Sequence, residues 1–367
     1  MKLGFFTMPI HPLGRNVTET LKEDRELALV ADRLGFTEGY FGEHVSDAAE
    51  TITSSLIFVA SLINETRNIR LGTGTVNLPC YHPAMVAAQV AMVDHMAEGR
   101  FIFGISPGGL MSDAELFGNL DRDRAAMFVE AIDHVLAIWA SEPPYERRGD
   151  YWTVSTARTL LEDLGQGRIL TPYQRPHPPI MVTAVSPFSS SVSQAARRGW
   201  GAISANFLLP MWVKTHWTKY LEGCAEVGRD ADIADWRVAK SVFVADDLET
   251  ARRYATSPDG PYYNYYRSIV TKMLRSGRGE IFKRDKSAPD ASVTVEDVVD
   301  QLVIWGTPDK VADELAAFRE EVGSFGTLLY AGHDWADKAL AIRSMELIAE
   351  KVAPNFADAP AAGAIGA

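Results

Sequence analysis

Cysteine is nearly missing from this 367-residue chain: Cys80 and Cys224 stand alone, with no C-x-x-C pair and no Cys/His spacing suited to a metal. A disulfide scaffold or zinc module is excluded, and free thiols in a reducing compartment are expected. Long apolar runs are missing too. Nothing approaches the roughly 18 uninterrupted apolar residues of a membrane span. The opening "MKLGFFTMPIHPLG" has one Lys and too short an apolar run for a signal peptide, so a cytoplasmic location is expected. Positive charge is in deficit, 36 Lys and Arg against 48 Asp and Glu, for a net charge of −12. With its basic residues scattered, the chain is not expected to bind nucleic acid through phosphates. No G-x-G-x-x-G follows the first apolar run, and no P-loop is present; within "FGISPGG", Gly104–Gly108 match G-x-S-x-G in letters, but the likeness to a nucleophile elbow is superficial. The H-x-H that barrel hydrolases tend to carry on a first strand is absent, and His11 in "HPLG" does not supply it. No metal site is expected.

What the chain does contain is alternation. Short runs rich in Val, Ile and Phe are each followed by a segment periodic at about 3.6 residues. The runs are Lys2–Thr7, "FTEGYFGE", Ile69–Leu78, Arg100–Ser106, Pro178–Val185, "GAISANF", "WRVAKSVFVA" and Thr327–Gly332. Such a set of strand-then-helix units suits a closed parallel barrel, the TIM (β/α)8 fold, better than an open doubly wound sheet. One domain is expected over residues 1–353, interrupted by Pro- and aromatic-rich insertions at 142–177 and 256–300, with a flexible tail at 354–367. If inserted after strands, both would be loops near the barrel mouth, with Tyr262, Tyr263, Tyr265, Tyr266 and Trp152 as lid material.

In a barrel, chemistry sits at the C-terminal ends of strands, and polar residues gather there. Strand two ends in Glu43–His44. Adjacent residues on a strand face opposite ways, so Glu43 reads as structural and His44 as the chemical candidate. Strand three ends "GTGTVNLP", where Gly72 and Gly74 mark either a bulge or a close approach to a flat ring. Strand four ends "GISPGG". Strand five runs into "TAVSPFSSS", where Ser186, Ser189, Ser190 and Ser191 precede a helix. Hydroxyls, free backbone N–H groups and a positive helix end together form a phosphate seat, although a single serine there could simply cap the helix.

In their order and spacing, Glu43–His44, "GTGTVNLPCYHP", "GRFIFGISPGG" and "TAVSPFSSS" resemble the bacterial luciferase-like flavin monooxygenases, over nearly the whole chain. The branch they look closest to holds the limonene- and diketocamphane-monooxygenase-like members. The resemblance implies His44 as the catalytic histidine and Gly74–Thr75 as a non-prolyl cis peptide under the flavin. Ser106 would face flavin and oxygen. The cofactor set would comprise Gly74, Thr75, Asn77, Ser106, Val185, Ser186, Ser189 and Ser190. Luciferases carry an Arg just after the Ser106 position to meet the flavin phosphate; Pro107 stands there here, leaving Arg197 or Arg198 as substitutes. Lacking a dinucleotide fingerprint, the chain is expected to receive reduced FMN from a separate NAD(P)H:flavin reductase. With O2 it would then oxygenate a small apolar substrate, a cyclic ketone by Baeyer–Villiger insertion or a terpene-like hydrocarbon. A deazaflavin-dependent dehydrogenase and a non-catalytic flavin-binding barrel are the alternatives. The resemblance also implies a homodimer through the apolar segments Ser54–Thr66 and Pro83–Gly99.

Overall fold

Twelve strands and twelve α-helices alternate along residues 1–356, the part described by the computed structural model. The first half holds β1 (Lys2–Thr7), α1 (Val17–Arg33), β2 (Glu38–Phe41), α2 (Ser55–Leu62), β3 (Arg70–Thr73), β4 (Val76–Asn77), α3 (Pro83–Met96) and β5 (Phe101–Ser106). Next come α4 (Met111–Leu116), α5 (Arg124–Ala140), the hairpin β6 (Glu146–Arg148) and β7 (Thr153–Ser155), β8 (Ile180–Ala184), α6 (Ser190–Arg197), β9 (Gly201–Ser204) and α7 (Pro210–Glu226). The remainder is β10 (Trp236–Val244), α8 (Leu248–Thr256), α9 (Pro261–Arg275), α10 (Val295–Leu302), β11 (Val303–Gly306), α11 (Pro308–Val322), β12 (Thr327–Gly332) and α12 (Lys338–Leu347).

β1, β2, β3, β5, β8, β9, β10 and β12 pair in parallel, and β12 returns to β1, closing an eight-stave barrel. β11 is extra: it pairs with the second half of β10, while the first half of β10 pairs with β12. Two cores follow from strand alternation. Tyr40, Ile102, Met181, Ile203, Ala239 and Leu329 fill the barrel interior. Their neighbours along the same strands, such as Phe41, Phe101, Phe103, Val182 and Leu328, face the helices.

β3 and β4 are one stave broken by a bulge. Leu71 and Gly72 stand opposite Phe101 and Ile102, but Val76 and Asn77 stand opposite Ile105 and Ser106, so the bulged side holds one extra residue. The Thr73 hydroxyl fills the gap, donating to the Gly104 carbonyl (2.8 Å) and accepting from the Gly104 N–H (2.9 Å). Only glycine suits position 104, because a Cβ there would collide with the Thr73 carbonyl oxygen. The Gly74–Thr75 peptide is cis.

The two insertions differ from the expectation. Residues 142–177 follow a helix, not a strand, and pack away from the mouth. Glu130 of α5 accepts from the N–H groups of Asp150, Tyr151 and Trp152, and Gln174 binds Asp94 at the end of α3 and the Phe101 carbonyl at the start of β5. Trp152 is therefore no part of a lid. Residues 256–300 do roof the mouth, but largely as helix. Tyr262, Tyr265, Tyr266 and Ile269 of α9 bury one face, while Tyr263 points outward to Glu296. Of the expected tail, Pro354–Phe356 form a 3-10 turn whose Phe356 carbonyl accepts from the amino group of Met1 (2.8 Å); the rest lies outside the described residues. Among the described residues no helix is long and apolar enough to cross a membrane.

Candidate active site

Glu43 is the hinge around which one side of the mouth is built. Buried behind β2, its carboxylate accepts from the N–H and hydroxyl of Ser55 at the start of α2 (both 2.8 Å) and from the Asn77 N–H (3.0 Å). The Asn77 side chain donates back to the Glu43 carbonyl and accepts from the Ser106 hydroxyl (2.7 Å), which in turn accepts from the Gly108 N–H (3.1 Å). The ends of β2, β4 and β5 are thus tied by one chain of hydrogen bonds. Desolvation raises the Glu43 pKa despite these donors.

His44 follows directly and is 12% exposed. Its Nδ1 lies 3.2 Å from Asp113 of α4, and its Nε2 lies 3.5 Å from Glu50. Asp113 is held by the N–H groups of Val45 and Ser46 as well. Burial disfavours the imidazolium, but the Glu50 charge and the Asp113 hydrogen bond outweigh it, and the His44 pKa is raised. For Asp113, burial is outweighed by the His44 and Ser46 hydrogen bonds, which hold its pKa at about 2. Lys272 reaches down from α9 to Glu50 (2.5 Å) and Asp47 (2.6 Å), so the roof helix is pinned to the cradle of the histidine.

The serine segment lies on the neighbouring staves. Ile105 of β5 pairs with Val182 of β8, and one step on Ser106 and Thr183 both face the barrel axis. Thr183 is partly exposed in mid-sheet and Val185 is 36% exposed, so this flank of the mouth is open. Ser189 occupies the N-cap of α6 without capping it: its hydroxyl pairs with Ser191 (2.8 Å), and the first N–H groups of α6 keep no side-chain acceptor from the cap residue. Ser186 and Ser190 are exposed. The Ser186 carbonyl is fixed from behind by His216 Nε2 (2.9 Å), whose Nδ1 meets the Ser204 hydroxyl (2.7 Å), itself bound by Trp236. Burial keeps His216 neutral, its pKa lowered to about 4.

His44, Gly74, Thr75, Asn77 and Ser106 therefore gather at the ends of β2, β3, β4 and β5, and Val185, Ser186, Ser189 and Ser190 follow the adjoining stave, β8. Arg197 and Arg198 are not near them. They end α6, about 10 Å along the helix from Ser190, where Arg197 pairs with Glu226 and Arg198 with Asp133. A cation that does approach is Arg124, the first residue of α5, which donates to the Gly108 carbonyl (3.2 Å) and lines a small cleft with Asn77, Gly108 and Asp113. Sequence reasoning missed Arg124, Asp113 and Glu50. Asp113 lies 69 residues from His44 and only the fold joins them.

On the far side, Asn206, Ser241, Tyr265, Tyr266 and His333 form a buried network under α9. His333 Nδ1 has no partner among the described residues, and burial lowers its pKa to about 3. His11, Glu23 and Asp334 gather donor atoms with metal-like spacing, but Arg15 already binds both carboxylates.

A family model described as luciferase-like monooxygenase matches residues 1–324. The chain is 33% identical to 4-hydroxyprotoasukamycin monooxygenase of Streptomyces nodosus subsp. asukaensis, covering 97% of this chain and 92% of the relative. It is 32% identical to limonene 1,2-monooxygenase of Rhodococcus erythropolis, over 96% and 86%. Among solved structures it resembles the oxygenating constituent of 3,6-diketocamphane monooxygenase from Pseudomonas putida, a type II Baeyer–Villiger monooxygenase in complex with FMN. There the TM-score is 0.85 at 29% identity, with 96% and 98% covered.

Proposed function

Because the chain belongs to the luciferase-like monooxygenase family, we propose that it is the oxygenating component of a two-component system. It takes reduced FMN from a separate NAD(P)H:flavin reductase and inserts one atom of O2 into a small apolar substrate. The observation that carries this reading is convergence: an imidazole, a glycine-lined bulge and a serine-lined helix start share one half-roofed mouth. The mouth fits FMN on both its demands. For a flat ring, the positions above the interior core are small, among them Gly42, Gly104, Ala205, Ser241 and Ala331. Two of these glycines answer to the protein's own packing, since a Cβ at Gly42 would meet Met8 and one at Gly104 the Thr73 carbonyl. For a phosphate tail, the α6 N–H groups, Ser186, Ser189, Ser190 and Arg124 offer donors and charge.

Reduced FMN supplies the two electrons that activate O2. The residues of the chain hold it and control water and protons. Asp113 takes the His44 Nδ1–H, which fixes the ring and leaves Nε2, 3.5 Å from Glu50, as the atom that exchanges a proton. α9 excludes water: Tyr262, Tyr265 and Tyr266 bind Val242, Asn206 and Ser241 at the barrel end, and Lys272 ties the helix to Glu50. The aromatic underside of that roof suits an uncharged cyclic ketone or terpene. The protein would pair through the exposed apolar side chains of α2 and α3.

The test supplies reduced FMN from a flavin reductase under 18O2, with a panel of bicyclic ketones and monoterpenes. Incorporation of one labelled atom per product, with little hydrogen peroxide, is expected. Failure to bind reduced FMN, or return of all consumed oxygen as peroxide with every compound, would refute the assignment.

A further inference from the structure

Two guanidinium groups meet over the end of β5 with no carboxylate between them. Arg124 donates to the Gly108 carbonyl at 3.2 Å, and Arg278, in the turn after α9, donates to the next carbonyl, Gly109, at 3.4 Å. Arg278 also donates through Nε to the Ser276 hydroxyl (3.1 Å). Neither arginine makes an ion pair among the described residues. The acids nearby are committed: Asp113 to His44 and Ser46, Asp123 to capping α5, Asp290 to Lys283 (2.5 Å), Glu280 to Lys286 (3.7 Å). Burial, and after it the charge of Arg124, lowers the Arg278 pKa. Backbone carbonyls satisfy hydrogen-bond donors but do not neutralise two like charges. The arrangement calls for an anion.

Resting on the flavin reading above, we infer that Arg278 is a phosphate-binding residue: it swings in from the roof to share the FMN phosphate with Arg124, supplying the positive charge that Pro107 lacks. The placement of the helices supports this. α5 and α6 run side by side, since Arg198 pairs with Asp133 and a cavity is lined jointly by Phe128, Val129, Ser191 and Gln194. Arg124, one turn before Phe128, therefore stands level with the first turn of α6. The roof spans the same gap. Lys286, eight residues beyond Arg278, lies over the rings of Trp212 (4.7 Å) and of Phe188 (5.9 Å), the latter inside the serine segment. The strap thus touches both walls of the phosphate seat, and an anion there would tie it down.

The test compares reduced FMN and reduced riboflavin, which differ only by the phosphate, in anaerobic titrations of the full-length wild type, Arg278→Ala and Arg278→Lys, with inorganic phosphate as competitor. Wild type is expected to prefer FMN. Arg278→Ala should weaken FMN binding by about tenfold to a hundredfold, the scale of a charge-assisted contact. Its riboflavin affinity and thermal midpoint should stay unchanged. Arg278→Lys should recover part of the preference, and phosphate should compete with FMN less well in the alanine variant. Equal losses for both flavins would make Arg278 a structural strut and overturn the inference. An unchanged FMN preference in Arg278→Ala would also overturn it while leaving the flavin reading intact. A wild type that bound neither flavin would remove that reading and this inference with it.

Discussion

His44 faces charges of both signs, and their contributions can be separated by substitution. Asp113 and Glu50 favour the imidazolium, whereas Lys272, which also neutralises Glu50 and Asp47, disfavours it. The balance raises the His44 pKa above its ordinary 6.5. If Nε2 delivers a proton, the rate should fall as pH rises through that raised value. Asp113→Asn removes a favourable charge and should move the alkaline limb of the kcat profile to lower pH. Lys272→Met removes an unfavourable one and should move it to higher pH. Opposite displacements from two neighbours are hard to obtain from general loosening; displacements of the same sign would count against His44 as the titrating group. His44→Ala should cost about 10²–10⁴-fold in coupled turnover. Gly104 gives a prediction of stability instead. Gly104→Ala forces a methyl against the Thr73 carbonyl and should destabilise the fold by about 1–3 kcal/mol in urea titrations. A neutral result would show that the bulge can relax.

His216 on α7 and His333, just after β12 and packed under α9, are buried near the mouth and make stability depend on pH. His216 and His333 are buried neutral, their pKa values lowered to about 4 and about 3. A depressed histidine means the unfolded chain binds more protons below 6.5, so its contribution is present above pH 6.5 and is lost as pH falls toward those values. For His216 the loss is at most ~3 kcal/mol. Glu43 and Glu50, raised by burial, push the other way. The informative quantity is therefore the difference between wild type and His216→Gln, which keeps a donor for Ser186 but cannot charge. Urea unfolding at pH 7 and pH 4.5 should show a shallower loss in the variant; parallel losses would mean His216 is hydrated or charged in the fold. On the alkaline side, His11 has its pKa raised to about 9 by Asp24 and Asp334 against its burial, and joins the loops after β1 and β12. That clasp should weaken as pH rises through about 9. Elements were legible to different degrees. α9 falls inside the stretch expected as loop, because residues 256–300 do not fit the strand-then-helix alternation. Yet Gly260 at the N-cap, Pro261 at N1 and burial at Tyr262, Tyr265, Tyr266 and Ile269 are a helix start and a helix period. β11 was hidden because four residues between two helices carry no period of their own.

At the scale of the whole molecule, the eight staves and their order were readable, because each apolar run abuts a periodic helix and a parallel barrel leaves few other closures. The candidate site is legible in the sequence only where its residues lie at strand ends. Asp113, Glu50, Arg124 and Arg278 come from loops and helix starts, and no local pattern announces that they meet. The 142–177 insertion fails the condition for a mouth loop: which end of the barrel a loop serves depends on whether it follows a strand or a helix, and this one follows α5. Surface apolarity is legible both ways. Ile57 on α2 is 73% exposed, and on α3 Met85, Met92 and Met96 are 55%, 51% and 44% exposed. The three methionines lie seven and four residues apart, on one face of α3, beside a helix that is apolar nearly all round. Single exposed apolar residues need no explanation, but four on two packed helices make a patch that water solvates poorly. A two-fold pairing of α2 and α3 would cover that patch on both copies at once, as an isologous interface requires. Light scattering should give a dimer mass at micromolar concentration, and Ile57→Glu with Met92→Lys should give a monomer whose helix content is unchanged. Because the side chains of Ile57 and Met92 are exposed and belong to no contact of the mouth, the monomeric variant should keep its flavin affinity. A wild type of monomer mass would show that the patch serves some contact other than self-association.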